Sequence, residues 1–318
     1  MSAGSLVLAI LAFGFAWSMG AHYTGACMGM PYATRSIRLW PALAVMAVFV
    51  LIGASFLSCR VLATVGDKLL GIGRLPLDVA SVIIAAAFIL TTIYNHLKIP
   101  TSTIQILVFS FIGAGLALHI TIEWITIGRL VVVWIAAPFA ALALGFALTR
   151  FFDLVTIPNQ VVQAVGWLLV LAGCLASLTM GANDVSNATG VFLATRLSGV
   201  AIAGAVGGVG LALGVLTWGR PLLERVAFEI VQLDLPMASA AQLIQGLVVL
   251  SAVLGFGDFT SMNQALVGAM AGTGFARGVE TVRWRTLNSI LKGWLWGPAS
   301  GFILAYLLAT ALHVCGLA

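Results

Sequence analysis

Met19-Gly20-Ala21-His22-Tyr23-Thr24-Gly25-Ala26-Cys27-Met28-Gly29-Met30-Pro31-Tyr32-Ala33-Thr34-Arg35 lies without a gap on Met180-Gly181-Ala182-Asn183-Asp184-Val185-Ser186-Asn187-Ala188-Thr189-Gly190-Val191-Phe192-Leu193-Ala194-Thr195-Arg196 in the second half of the chain. Seven of the seventeen positions are identical, where chance in so apolar a chain would match about two or three. The offset is about half the 318-residue length, so the chain reads as one unit written twice. The copies differ where chemistry would sit: Asn183-Asp184 in the second is His22-Tyr23 in the first.

Two further elements repeat at nearly the same offset. Thr101-Ser102-Thr103-Ile104-Gln105-Ile106-Leu107-Val108 and Thr260-Ser261-Met262-Asn263-Gln264-Ala265-Leu266-Val267 both read Thr-Ser-x-x-Gln-x-Leu-Val. Trp134-x-x-x-Pro138 returns as Trp294-x-x-x-Pro298. Three ordered matches define two repeats, 1–150 and 160–318, joined by a short link and expected to form one intertwined unit.

Composition fixes the solvent. Only 8% of residues are charged, 61% are hydrophobic and the mean hydropathy is +1.12. A soluble core of this length could not hide so much apolar surface, so the chain is an integral membrane protein. Uncharged stretches at 39–59, 79–97, 130–149, 154–183, 197–219, 235–257 and 293–318 are each long enough to cross a bilayer as helix. The 35 glycines lie inside these runs, as membrane helices allow. Short alternating strands, the mark of a membrane β-barrel, do not occur. The expected fold is therefore all-α, with about ten to twelve membrane segments in two repeats with broken or re-entrant helices.

In this setting the net charge of +5 is no nucleic-acid signal, because the basic residues sit mainly in loops. Loop charge instead bears on orientation. The loop 60–78 is basic and its counterpart 220–234 is not, whereas 119–129 is neutral and its counterpart 277–292 is basic. A sign that flips between the copies indicates inverted repeats, with 100–118 and 259–276 re-entrant. Cys27, Cys59, Cys174 and Cys315 are scattered without ligand spacing and read as reduced packing residues. The N-terminal apolar run has no basic flank and runs straight into the first motif, so it reads as mature structure. No nucleophile–base pair or metal cluster sits at useful spacing, and an enzyme is not expected.

Each Thr-Ser element opens an apolar stretch, the first directly after Pro100. Hydroxyl residues and proline favour a helix start. At membrane depth such a start offers N–H groups, hydroxyls and the positive end of a helix dipole, which together suit an anion. The competing reading is that these hydroxyls bond back to the preceding turn and help helices pack. Asp184, with Asn183, Ser186 and Asn187 around it, follows directly on the uncharged run 154–183. A carboxylate at that depth must be paired, hydrated or cation-bound. Carboxylate with amide oxygens suits Na⁺, and a desolvated Asp suits a proton, so either ion could be carried here; a capping Asp at a helix break is the alternative. Asp258, immediately before the second Thr-Ser element, reads as a coupling or gating group or as a boundary residue. His22, at the place of Asn183, could donate to an anion or move a proton. Arg35 and Arg196 end both motif copies and read as interfacial anchors.

Gly181-Ala182-Asn183-Asp184-Val185-Ser186-Asn187-Ala188 resembles the GANDVANA signature that the inorganic phosphate transporter family carries in duplicate. Ser261-Met262-Asn263-Gln264-Ala265-Leu266-Val267-Gly268-Ala269 is similar to that family's STTHAxVGA element, and Gly274-Phe275-Ala276-Arg277-Gly278 with Val282-Arg283-Trp284-Arg285 to its continuation. The resemblance covers both halves. It implies a multi-pass protein of the prokaryotic cytoplasmic membrane, secondary active transport of a tetrahedral oxyanion, and commonly a homodimer. It implies that Ser102, Thr103 and the Ile104 backbone, with Ser261, the Met262 backbone and Asn263, grip the anion. It assigns Asn183, Asp184 and Asn187 to the coupling cation, Na⁺ or H⁺, with no other cofactor. His22 joins that coupling set by its position in the first copy. Gln105 and Gln264, which stand where the family has histidine, join the anion set.

The departures carry a preference. Phosphate near neutral pH keeps a proton and benefits from a carboxylate acceptor, whereas sulfate has no proton and wants donors. Tyr23 in place of a second motif carboxylate tilts the site toward sulfate, and the first copy is similar to the sulfate permease branch of the family. Sulfate import is the expectation, with phosphate symport as the alternative.

Overall fold

A computed structural model describes residues 2–69, 75–154, 162–229, 234–282 and 284–315. All the regular structure in them is helical. Inside a bilayer a backbone without water must satisfy its own N–H and C=O groups, and a helix does so within one segment.

The first repeat runs α1 (Ala3–His22), α2 (Thr24–Ala33), α3 (Leu39–Phe56), α4 (Cys59–Ala63), α5 (Leu77–His96), α6 (Thr103–Ala117) and α7 (Trp124–Leu154). The second runs α8 (Val162–Ala194), α9 (Val200–Trp218), α10 (Arg220–Glu229), α11 (Leu235–Ser251), α12 (Met262–Arg277) and α13 (Trp284–Val314). Among the described residues eight helical stretches are long and apolar enough to span, counting α1 with α2 as one. The short, buried α6 and α12 bring the membrane segments to ten among the described residues. One difference between the copies is immediate: Tyr23 interrupts the first motif helix, whereas α8 carries Asn183-Asp184 through 33 unbroken residues.

The duplication extends to the backbone. Among the described residues, positive φ occurs at Arg35 (60°) and Arg196 (56°), at Lys98 (54°) and Gly257 (67°), and at His119 (56°) and Gly278 (129°). Each pair is related by the repeat offset. At Arg35 the reversal is a Schellman end, with Arg35 N–H donating to Tyr32 O at 3.0 Å and Ser36 N–H to Pro31 O at 3.0 Å. Arg196 makes the same turn through Leu193 O and Phe192 O. Both arginines are exposed, as interfacial residues should be.

The repeats are interleaved. α1 packs on α9 and α3 on α8, while α6 packs on α13 and α12 on α7. The first two crossings are built from reciprocal glycines. A Cβ at Gly20 would strike the Leu211 carbonyl, and one at Gly214 the Trp17 carbonyl. The repeat mates do the same: Gly181 against Val50 O and Gly53 against Leu178 O. Lipid gives helices no hydrophobic reason to associate, so close backbone approach over small residues supplies the contact. Cys27 and Cys174 are buried, in keeping with a packing role, whereas Cys59 and Cys315 are exposed and do not pack inside.

Candidate functional site

α6 and α12 begin in the interior, and their starts meet. Thr101, Ser102, Thr103, Thr260, Ser261 and Met262 are all fully buried. Asn263 Nδ2 donates to the Thr101 carbonyl at 2.7 Å, tying one start to the other. One turn in, Gln105 and Gln264 exchange amide bonds, each Nε2 donating to the other's Oε1 at 3.2 Å. These repeat mates lock the two short helices together. The carbonyl and one amide hydrogen of each are committed to the partner, a reduced role compared with free anion donors.

The first motif residue of each copy holds the backbone just ahead of a short helix. Asn183 Nδ2 donates to Thr260 O at 2.8 Å, and Thr260 N–H donates to Asn183 Oδ1 at 3.1 Å. His22 makes half of this contact at Thr101, accepting its N–H on Nε2 at 3.2 Å, while Asn263 serves the Thr101 carbonyl. His22 Nδ1 lies 2.6 Å from Asn95 Oδ1, and Asn95 is oriented by its Nδ2 donating to Ser18 O at 2.8 Å. The neutral Nδ1–H tautomer of His22 satisfies both neighbours. His22 and Asn183 thus have their polar atoms occupied by backbone and by Asn95, which leaves the free oxygens of the coupling set to Asp184 and Asn187.

The second motif residues converge as well. Tyr23 shares a 2.8 Å hydrogen bond with Thr103 Oγ1 and stands beside the Asp184 carboxyl group, its repeat mate. Asn187, one turn along α8, donates from Nδ2 toward Asp184 Oδ1 at 3.2 Å and Thr103 Oγ1 at 3.3 Å. One amide therefore bridges the acid to the start of α6.

Several buried polar atoms have no partner. Asp184 Oδ2 and Asn187 Oδ1 are orphaned acceptors, as is Gln242 Oε1 on α11. Thr101 Oγ1, Ser102 Oγ and Thr260 Oγ1 are orphaned hydroxyls. Native interiors rarely leave such groups unpaired, so a cluster of them marks a place for a ligand or solvent. The two helix starts differ here. Ser261 accepts from Gln264 N–H at 3.3 Å, whereas the Ser102 side chain makes no cap bond and leaves the first turn of α6 uncapped. Free first-turn N–H groups are the usual anion donors of a helix start. No lysine or arginine is buried among the described residues, so positive charge at the site comes from the helix ends.

The residues expected at the site all come together. Four further ones join them. Tyr23 and Asn95 complete the first half, and the buried Gln242 and Gln245 extend the second. Gln245 Nε2 donates to Met262 O at 3.3 Å, and Gln242 Nε2 to Gln245 Oε1 at 2.6 Å. Tyr23 carried a signal in its alignment with Asp184. The other three lie outside the repeated motifs, and a polar residue within an apolar run was the available sign of each. Behind the Gln105–Gln264 pair lies an apolar cavity of about 650 Å³ between α6, α7, α12 and α13. The repeated Trp-x-x-x-Pro elements form part of its wall.

The helical fold, the buried helix starts and the paired motifs define a multi-pass membrane transporter of the cell membrane. The Phosphate transporter family (PHO4) matches over residues 19–163 and again over 153–305, and the chain belongs to this family. A putative phosphate permease of Methanocaldococcus jannaschii is 24% identical over 300 residues, covering 94% of this chain and 95% of its own. The sulfate permease CysP of Bacillus subtilis is 27% identical over 309 residues, covering 93% and 84%. A solved structure described as the sodium-dependent phosphate transporter has the same fold, with a TM-score of 0.89 at 20% identity, over 98% of this chain and all of that one.

Proposed function

We propose that the protein is a secondary active importer of a tetrahedral dianion, sulfate ahead of phosphate, driven by a cation at Asp184. The repeats 1–150 and 160–318 act in this reading as one transport unit. The observation that carries it is the juxtaposition of two orphan sets: free hydroxyls on Thr101, Ser102 and Thr260 beside the uncapped first turn of α6, and free oxygens on Asp184 and Asn187, linked through Thr103. The first set suits an anion. The second is a carboxylate with an amide oxygen, which fits Na⁺, and Asp184 alone could instead take a proton.

The coupling follows from charge. Each helix start contributes roughly half a positive charge, while an ionised Asp184 opposes the incoming dianion. A cation or proton at Asp184 removes that opposition, so each ligand raises the affinity for the other by the same factor. A downhill cation then draws the anion with it.

Sulfate ranks first because Tyr23, a neutral hydroxyl, stands where a second motif carboxylate would accept a phosphate proton. Phosphate is the second reading. Asp184 Oδ2 remains one free acceptor, and most of the relatives are described as phosphate permeases or phosphate transporters.

Uptake of labelled sulfate into proteoliposomes tests the proposal, with Na⁺ and pH gradients imposed separately and together. Accumulation that persists without either gradient sinks the coupling, and downhill flux without counter-transport stimulation points to an anion channel. Phosphate competing better than sulfate reverses the ranking.

A further inference from the structure

Both short helices pack on the last helix of the other repeat, but among the described residues the segment leading into α12 has polar ties to the first repeat that its repeat mate lacks toward the second. Arg129 at the start of α7 donates to Asp258 Oδ1 at 2.6 Å, and the Asp258 side chain is only 4% exposed. Trp134, further along α7, donates from Nε1 to Phe259 O at 3.3 Å. Thr64 donates to Gly257 O at 2.8 Å. These contacts hold residues 257–259, immediately ahead of Thr260 and Ser261. Gly257 lies in the left-handed region at φ 67°, so the chain reverses there.

On the other side the pattern is broken. The repeat mate of Asp258 is Ile99, which cannot pair with a cation. The mate of Trp134 is Trp294 on α13, and the carbonyl it would reach is that of Pro100, the mate of Phe259. Yet Trp294 Nε1 is buried and has no hydrogen-bond partner. The α6 start is close by: Pro100 O lies 3.9 Å from a Cβ built at Gly293 on the same helix. A buried indole N–H left without an acceptor is costly, and Trp normally finds a partner when buried.

Building on the transport function proposed above, we propose that these two sites are the halves of an exchange latch. Arg129 and Trp134 hold the α12 start on α7 in the state seen here, while the α6 start, already lying against α13 at Gly293 and Gly297, shifts along that helix in the opposite-facing state until Trp294 takes the Pro100 carbonyl. Two interleaved repeats that pack on each other's last helix have two equivalent ways to close, and a tie on one side competes with its mate on the other. The ion pair, present on one side alone, biases the resting protein toward the closed α12 start.

The latch makes a prediction of opposite sign for its two halves. Thr260→Cys in an otherwise cysteine-free protein, reconstituted in liposomes, reports opening through its labelling by a membrane-impermeant maleimide from the face of the membrane nearer Arg129. Asp258→Asn should raise the labelling rate about tenfold, the population shift that ~1.4 kcal/mol produces. Trp294→Phe should lower it, by removing the donor that stabilises the other state, and the double variant should return toward the parent. Arg129→Gln removes the same ion pair from a half-exposed position and carries the test should Asp258→Asn fail to insert. Equal labelling of parent, Arg129→Gln and Trp294→Phe overturns the latch, as does a rise in both. Labelling does not depend on which anion is carried. Uptake is measured on the protein with Thr260 intact: if that protein moves neither sulfate nor phosphate while the reporter variants show the opposed shifts, the transport reading is refuted and the latch is kept. Coupled uptake with unmoved labelling does the reverse.

Discussion

The two motif copies began as one sequence and now do one task alike and one task differently. His22 and Asn183 both hold the backbone ahead of a short helix, although one is an imidazole and the other an amide. The function survives the substitution because Asn95 supplies the acceptor that keeps the histidine in the right tautomer. Tyr23 and Asp184, by contrast, have parted in chemistry while staying side by side. The tyrosine hydroxyl ties off Thr103, and the carboxylate keeps a free oxygen. Identity at a position is therefore a poor guide to shared function, and the bonds each residue makes are a better one.

The largest effect is expected from Asp184→Asn. It keeps the shape and the bond to Asn187 but removes the charge that a coupling cation requires, so gradient-driven uptake should vanish while anion binding persists. Unchanged uptake would place coupling elsewhere. Asn183→Ala should come next: it orphans both Thr260 N–H and Thr260 O, at about 1–3 kcal/mol for each buried group left unpaired. His22→Ala should cost about as much, because it orphans the Thr101 N–H and Asn95 Oδ1 while Asn263 still serves the Thr101 carbonyl. His22→Asn should be milder, since an amide serves the same purpose at Asn183. Thermal unfolding in detergent compares the three, and His22→Ala and Asn183→Ala differing widely would break the parallel between the copies.

The glycine crossings extend the comparison to the scaffold. Gly20→Ala and Gly181→Ala place a methyl group against a main-chain carbonyl in repeat-related contacts. Each should cost ~1–3 kcal/mol, as overpacking does, and by similar amounts. A large difference between them in melting temperature would show that the crossings are not equivalent. The smallest contrast concerns the two serines. Ser102→Ala removes an unspent hydroxyl and should weaken anion binding by roughly 1.5–3 kcal/mol if the hydroxyl meets the charge. Ser261→Ala removes a cap worth about 1 kcal/mol and should chiefly lower stability. Sulfate titration and melting curves on both variants separate the two cases, and equal losses of affinity would mean that Ser261 also turns to the ligand.

Much of this architecture was legible in the chain. The apolar runs announced the spans, and Thr-Ser after Pro100 announced a helix start. The motif offset announced that whatever α8 does has a counterpart near residue 22. What stayed hidden was which polar atoms are already occupied. Gln105 and Gln264 looked like donors to an anion, and they bond each other from opposite halves of the chain. Ser102 and Ser261 looked equivalent, and one of them is spent on its own helix. Asn95, Gln242 and Gln245 carried no motif at all, and their place became visible when α5 and α11 packed beside the short helices.

By itself the sequence determined that the protein lives in a membrane, that it is built from two repeats, and that each repeat begins a helix at membrane depth. These follow from composition, period and local propensity, which act over a few residues and need no partner. The tertiary structure decided the rest: the exchange of packing between repeats, the division of labour between Tyr23 and Asp184, and the one-sided tie of Arg129 to Asp258. A buried polar atom is neutralised by whatever the fold brings within about 3 Å of it, and in this protein that neighbour usually comes from the other half of the chain or from a helix far along the same half.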